Sequence, residues 1–178
     1  MASHTILKRD PIFKGRVIDL GIETVRLPDG TTNRREVIRH DGAVAILPLH
    51  PDGRVTLVRQ YRVPAGQDML EVPAGLLEAG EDPRACASRE LQEEVGLRPG
   101  RLEPLGGFFL APGYSSEYIH LFLATDLVPA ALEGDDDEFI EVLTLPFAEA
   151  LALVEQGAIN NSTTVTALLL LAEHFPDL

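Results

Sequence analysis

The chain has 178 residues, 45% of them hydrophobic, and a formal net charge of −13, enough for one domain with a substantial core. That charge argues against nonspecific binding to nucleic acid or anionic membranes, whose phosphates would be repelled. No apolar run approaches bilayer length, the first residues lack the apolar core of a signal peptide, and the single Cys86 excludes an intramolecular disulfide and fits a reducing cytoplasm.

Residues Ile12 to Leu27 read as two short strands, FKGRVIDLG and IETVRL, and Pro28 to Thr31 (PDGT) is a turn. Arg34 to Arg39 resumes an alternating pattern. The expected result is an N-terminal antiparallel meander over residues 1–40, ahead of a main domain over 41–178. So small a sheet has little core and must pack on something, either its own chain or a second one.

Gly42 to Leu49 (GAVAILPL) is almost continuously apolar and reads as a buried strand. His50 to Gly53 (HPDG) reads as a hairpin turn with Arg54 to Tyr61 as the partner strand. Arg59 and Arg62 frame the following loop. They are either surface arginines or a diphosphate clamp, since a guanidinium pairs with phosphate through two bonds at once. Glu71, amid apolar neighbours, is either an edge-strand charge or a substrate contact.

Gly75 to Leu97 reads GLLEAGEDPRACASRELQEEVGL. Asp82 is a helix N-cap, Pro83 sits where its missing N–H costs nothing, and Gly96 is a stop, so the helix is predicted over Pro83 to Val95. At about 3.6 residues per turn, Glu90 and Glu94 share a face with Glu93 beside them, and Ala87, Leu91 and Val95 form an apolar stripe. Cys86 reads as a small packing residue. Like charges at this spacing destabilise a helix by about a few tenths of a kcal/mol per pair. On spacing alone the acidic face is either a solvated surface, though one without lysines, or a site for a hard divalent cation such as Mg²⁺, which is held by one or two carboxylates plus substrate phosphates.

Further on, Arg101 to Leu110, Tyr118 to Ala124 and Phe139 to Leu145 read as strands, separated by the loop Ala111 to Glu117 (APGYSSE) and the acidic loop Glu133 to Glu138 (EGDDDE). A helix is expected from about Pro146 to Gln156, stopping at Gly157. Another, capped by Asn161 or Ser162, runs to about His174. Strands, a helix, more strands and two helices together suggest a mixed sheet between helices.

Gly75, Glu81, Arg89, Glu90, Leu91, Glu93, Glu94, Gly96 and Leu97 occupy every position of the pattern of the Nudix box, and the chain resembles that family. The resemblance implies an α/β (α+β) fold, a Nudix-type α/β/α sandwich with a mixed β-sheet, here preceded by the small N-terminal antiparallel sheet. Within the family the chain is most similar to the ADP-ribose pyrophosphatases. The N-terminal meander, the strand pair VRQYR and LEVPAG, Pro112 downstream of the box, and the DDEFIEV and QGAINNSTTVTALLLL stretches carry that similarity. It implies a homodimer and a metal-dependent hydrolysis of ADP-ribose to AMP and ribose 5-phosphate. It implies Mg²⁺ or Mn²⁺ held by Glu90, Glu94, the carbonyl of Ala74, and Glu93. Arg89 would orient a box carboxylate, Glu81 would be a further ligand through water, and Gly75 and Gly96 would be structural. The general base would be Glu138, with Glu141 second. Arg59, Arg62, Glu71 and Pro112 would contact substrate. By position alone, and not from the resemblance, Phe13, Arg16 or Arg26 of the N-terminal sheet could stack on or contact the adenine, from this chain or from the partner subunit. The competing expectations are a nucleotide-sugar pyrophosphatase acting on GDP-mannose, for example, or a non-catalytic Nudix sensor of ADP-ribose. Such sensors usually lose box carboxylates, and here all are present.

Overall fold

The computed structural model describes residues 3–134 and 139–176. The chain falls into two compact units, Met1–Gly42 with Phe109–Tyr118, and Ala43–Phe108 with Ile119–Leu178.

The first unit is an antiparallel sheet in the order β1-β2-β3, built from β1 (Thr5–Lys14), β2 (Asp19–Arg26) and β3 (Thr32–Arg39). Two details depart from the sequence expectation. The first strand begins at Thr5, and FKGRVIDLG is no single strand but spans a turn, closed where the Gly15 N–H bonds the Ile18 carbonyl at 2.9 Å. The PDGT turn forms as expected: the Asp29 carboxylate accepts from the Thr31 amide at 2.9 Å and from its hydroxyl at 2.6 Å. The loop before Tyr118 is fastened to β3, with Ile38 N–H donating to Tyr114 at 2.7 Å and Ser116 N–H to Ile38 at 3.0 Å.

The second unit holds two sheets and three helices. Strands β4 (Ala43–Pro48), β7 (Ala74–Leu76), β8 (Leu97–Phe109) and β9 (Tyr118–Pro129) form one sheet in the order β7-β4-β9-β8. It is mixed, because β4 pairs parallel with β9 and antiparallel with β7. Strands β5 (Arg54–Arg62), β6 (Gln67–Glu71) and β10 (Glu141–Pro146) form the other, in the order β10-β5-β6.

The expected β4–β5 hairpin is therefore reduced to its turn. His50 N–H bonds the Arg54 carbonyl at 2.8 Å, and a single bridge joins Leu49 to Val55 before the strands enter different sheets. The reason lies in β4 itself, which is buried on both faces. Ala43, Ala45 and Leu47 pack with Leu121, Leu123 and residues of α2 (Phe147–Glu155) and α3 (Ser162–His174). Val44 and Ile46 pack with Phe122 and with Cys86, Ala87 and Leu91 of α1 (Pro83–Glu94). A strand apolar on both faces is satisfied between two helical layers, and these layers make the α/β/α sandwich expected from the family pattern.

Helix α1 starts as the sequence dictates. The Asp82 carboxylate accepts from the amides of Arg84 and Ala85 at 3.0 and 3.1 Å. It ends at Val95 as C-cap, followed by Gly96 at φ +74°, the left-handed position that favours glycine. The side chains of Cys86, Ala87 and Leu91 fix which way the helix faces. Among the described residues no helix is long and apolar enough to cross a membrane. Because Leu91 is fully buried, Leu91→Ala is expected to destabilise the fold by about 2–5 kcal/mol, read as a lowered urea midpoint with unchanged m-value.

Candidate active site

Helix α1 ends against its own electrostatics. Glu90, Glu93 and Glu94 lie toward its C-terminal end, where the backbone dipole already concentrates negative charge and the last turn holds no basic residue. The arrangement costs stability locally, so something else must compensate it.

The compensation is Arg89. Its Nε and Nη2 donate to the two oxygens of Glu81, each at 3.1 Å. Its Nη1 donates to Glu90 at 2.8 Å and to Glu93 at 2.9 Å. One guanidinium thus ties the loop before the helix to two carboxylates of its last turns. Glu81 above all, with Glu90 and Glu93 behind it, raises the Arg89 pKa beyond its ordinary value. In return the Arg89 hydrogen bonds lower the Glu81 pKa, so that carboxylate stays ionised. Arg89 Nη2 also reaches Cys86 Sγ at 3.4 Å. Burial, and then the Glu81 charge, push the Cys86 thiol up to about 12, so it is a neutral packing group at neutral pH.

Glu90 and Glu94 meet the segment that precedes the helix. The Ala74 N–H donates to Glu94 Oε2 at 3.1 Å. Gly75 lies so close to Glu90 that a Cβ built on it would be 1.9 Å from Glu90 Cδ and 2.0 and 2.3 Å from its two oxygens. Glycine is required here for close approach, since only a residue without a side chain leaves the carboxylate its place.

The remaining candidate residues fall into different settings. Arg62 donates through Nε to Glu71 Oε2 at 2.8 Å, and Asn161 Nδ2 donates to Glu71 Oε1 at 2.7 Å. Glu71 is 3% exposed, on the edge strand β6. Both its oxygens are engaged within the protein, so it supports Arg62. Arg59 stands opposite Glu141 on the neighbouring strand, 3.6 Å apart and largely exposed. Pro112 belongs to the first unit, in the loop fastened to β3. Glu138 lies outside the described residues. The sequence reading recognised Asn161 only as a helix cap. Its bond to Glu71, across 90 positions, leaves no local signal.

The donor set suits a hard divalent cation: Glu81, Glu90, Glu93 and Glu94 offer only oxygen against one guanidinium. Among the described residues no three acidic, cysteine or histidine side chains form a ready cage. Mg²⁺ does not need one, because it keeps several waters and is commonly completed by substrate phosphates.

A cluster of oxygen donors at the end of a helix, on one face of an α/β/α sandwich, suits an enzyme acting on phosphate esters or anhydrides. The NUDIX domain family model matches residues 39–168. The chain is 40% identical over 164 residues to the ADP-ribose pyrophosphatase of Bacillus subtilis (strain 168), covering 91% of this chain and 89% of that protein. It is 42% identical over 164 residues to the methanol dehydrogenase activator of Bacillus methanolicus, with the same coverage. A crystal structure of an ADP compounds hydrolase superposes with a TM-score of 0.85 at 29% identity, covering 97% of this chain and 94% of the other. The chain belongs to the Nudix family and is a hydrolase of it. Enzymes of this family generally need divalent metal ions.

The clash at Gly75 involves only the far end of a flexible side chain. Gly75→Ala is therefore expected to keep the fold, with a melting temperature close to that of the unsubstituted protein. Turnover of a nucleoside diphosphate-linked substrate should fall by about ten- to a hundredfold. Unchanged turnover would show that the Glu90 position is irrelevant to the reaction.

Proposed function

We propose that the protein hydrolyses the diphosphate bond of ADP-ribose, releasing AMP and ribose 5-phosphate, with Mg²⁺ or Mn²⁺ as the cofactor. The observation that carries this reading is the Arg89-centred carboxylate cluster packed against Ala74 and Gly75. The Bacillus subtilis relative, which aligns along almost the whole chain, is an ADP-ribose pyrophosphatase.

Glu90, Glu94 and the Ala74 carbonyl hold the cation in this reading, with Glu93 as a further ligand. A cation held there would lower the pKa of a coordinated water and neutralise charge on the diphosphate. Arg89 holds Glu81, Glu90 and Glu93 in place through its hydrogen bonds, so it acts through them. Arg62 and Arg59 hold the diphosphate by paired N–H donors, Arg62 being aimed by Glu71. A carboxylate takes the proton of the attacking water. Glu138 is assigned that role, with Glu141 as second candidate.

The functional form is proposed to be a homodimer. More than half of the 15 lysines and arginines lie in residues 1–42 of a chain with net charge −13. Ile12 and Phe13 of β1 are 61% and 57% exposed. Basic and apolar surface on a small sheet suits the acidic remainder of a second copy.

Product analysis tests the activity. Supplied with ADP-ribose or GDP-mannose and Mg²⁺, the protein is expected to release AMP from the first faster than GMP from the second. The reverse order would replace the ADP-ribose assignment with a nucleotide-sugar one. Glu94→Gln should lower kcat by two orders of magnitude or more (on the scale of about 10²–10³ for a removed transition-state contact) and leave ADP-ribose binding measurable by calorimetry. Wild-type kcat in that variant would remove the metal role of Glu94. Light scattering at micromolar concentration should return twice the 19.4 kDa chain mass; a monomer mass would refute the dimer.

A further inference from the structure

We propose that Asn161 and Thr164, at the start of α3, are positioning residues that set segment 71–75 against the box glutamates. The proposal rests on the reading of Glu90 and Glu94 as the cation ligands.

Strands β6 and β7 belong to different sheets, and only Val72 and Pro73 separate them. A chain that leaves one hydrogen-bond ladder for another releases backbone groups that must be paired if buried. Val72 is 1% exposed and Thr164 is fully buried. The Val72 N–H donates to Thr164 Oγ1 at 3.0 Å. Proline supplies no N–H at the next position, and the Pro73 carbonyl accepts from Ile46 N–H at 2.9 Å. One residue earlier, Glu71 Oε1 accepts from Asn161 Nδ2 at 2.7 Å. The other end of the same amide, Asn161 Oδ1, caps α3 by accepting from Thr164 N–H at 2.9 Å. The helix start and the sheet switch are thus locked to each other by two adjacent side-chain bonds.

The lock lies immediately upstream of the site. The next residue, Ala74, donates to Glu94, and the one after, Gly75, leaves Glu90 its place. Both contacts depend on where the chain emerges from Val72 and Pro73. A displacement of about 1 Å at a reacting centre can cost about a hundredfold in rate, and neither contact survives a shift of that size. No part of α3 needs to touch substrate for this to matter, so Asn161 and Thr164 act through the 71–75 segment.

Two substitutions separate positioning from plain folding. Asn161→Ser keeps an N-cap oxygen and loses the bond to Glu71. Thr164→Val keeps the side-chain shape and loses the acceptor for Val72, and Thr164→Ser restores it. With ADP-ribose and Mg²⁺, Asn161→Ser and Thr164→Val are expected to lower kcat by about ten- to a hundredfold with KM changed less than threefold, and Thr164→Ser to recover most of kcat. Hydrogen exchange should quicken at the Ala74 amide in the first two variants while the β4 and β9 amides stay protected. Wild-type kcat, or unchanged exchange at Ala74, would overturn the proposal. So would a loss of kcat that follows general loss of protection and is not recovered by Thr164→Ser. If the unsubstituted protein fails to cleave ADP-ribose, the substrate reading falls, and the Ala74 exchange alone decides whether α3 positions the segment.

Discussion

A single guanidinium holding three carboxylates is the interaction on which the rest of the site depends. Glu81, Glu90 and Glu93 would repel one another if left in a half-buried cluster at the negative end of α1. Arg89 makes the cluster tolerable with four hydrogen bonds of 2.8–3.1 Å. Surface pairs of this kind are worth about 0–1 kcal/mol. Here the side chains are only 12–30% exposed, so water screens them less and each lost bond leaves a poorly solvated charge. The acidic residues of the last turns of α1 stand against the helix dipole.

The sandwich puts this cluster where it can act. Cys86, Ala87 and Leu91 turn one side of α1 to the β4–β9 core, and Glu90 and Glu94 flank that side and meet Ala74 and Gly75 of β7. Gly75 then decides the approach. The backbone and the Glu90 carboxylate share space that any side chain would fill. On the other face of the sheet, α3 supplies the buried hydroxyl and amide that guide the chain from one sheet to the next. The two faces of the unit are thereby joined through four residues, Val72 to Gly75. The small N-terminal sheet follows a different logic. Its side chains Ile12 and Phe13 are exposed and Glu23 is buried in a pairing with Arg9 and Arg39, so it builds little core of its own.

Local chemistry made much of this legible in the sequence. The Asp82 cap, Pro83 and Gly96 bound α1 to within one residue of its observed end, because caps act through neighbours a few positions away. The unbroken apolar run of β4 announced a strand buried on both faces, and the spacing of Glu90, Glu93 and Glu94 announced a charged helix flank. The nine positions of the box carried the family with them. Less was legible where neighbouring segments part company. The HPDG turn was readable, but not that its two strands enter separate sheets, since a turn constrains only the residues beside it. FKGRVIDLG looked like one strand because its turn contains the β-branched Val17 and Ile18.

By itself the sequence determined the helix boundaries, the two-sided burial of β4 and the inventory of oxygen donors, all of which depend on contacts within a few residues or on composition along one element. Only the tertiary structure decided that Arg89 serves Glu81 and Glu90 as well as Glu93, and that the Gly75 backbone makes room for Glu90. The structure alone also showed that Glu71 belongs to Arg62 and Asn161, and that Thr164 takes the Val72 amide. Those are pairings between segments up to 92 positions apart. They exist because hydrophobic layers bring the segments together, and no local propensity records which polar groups will then face each other.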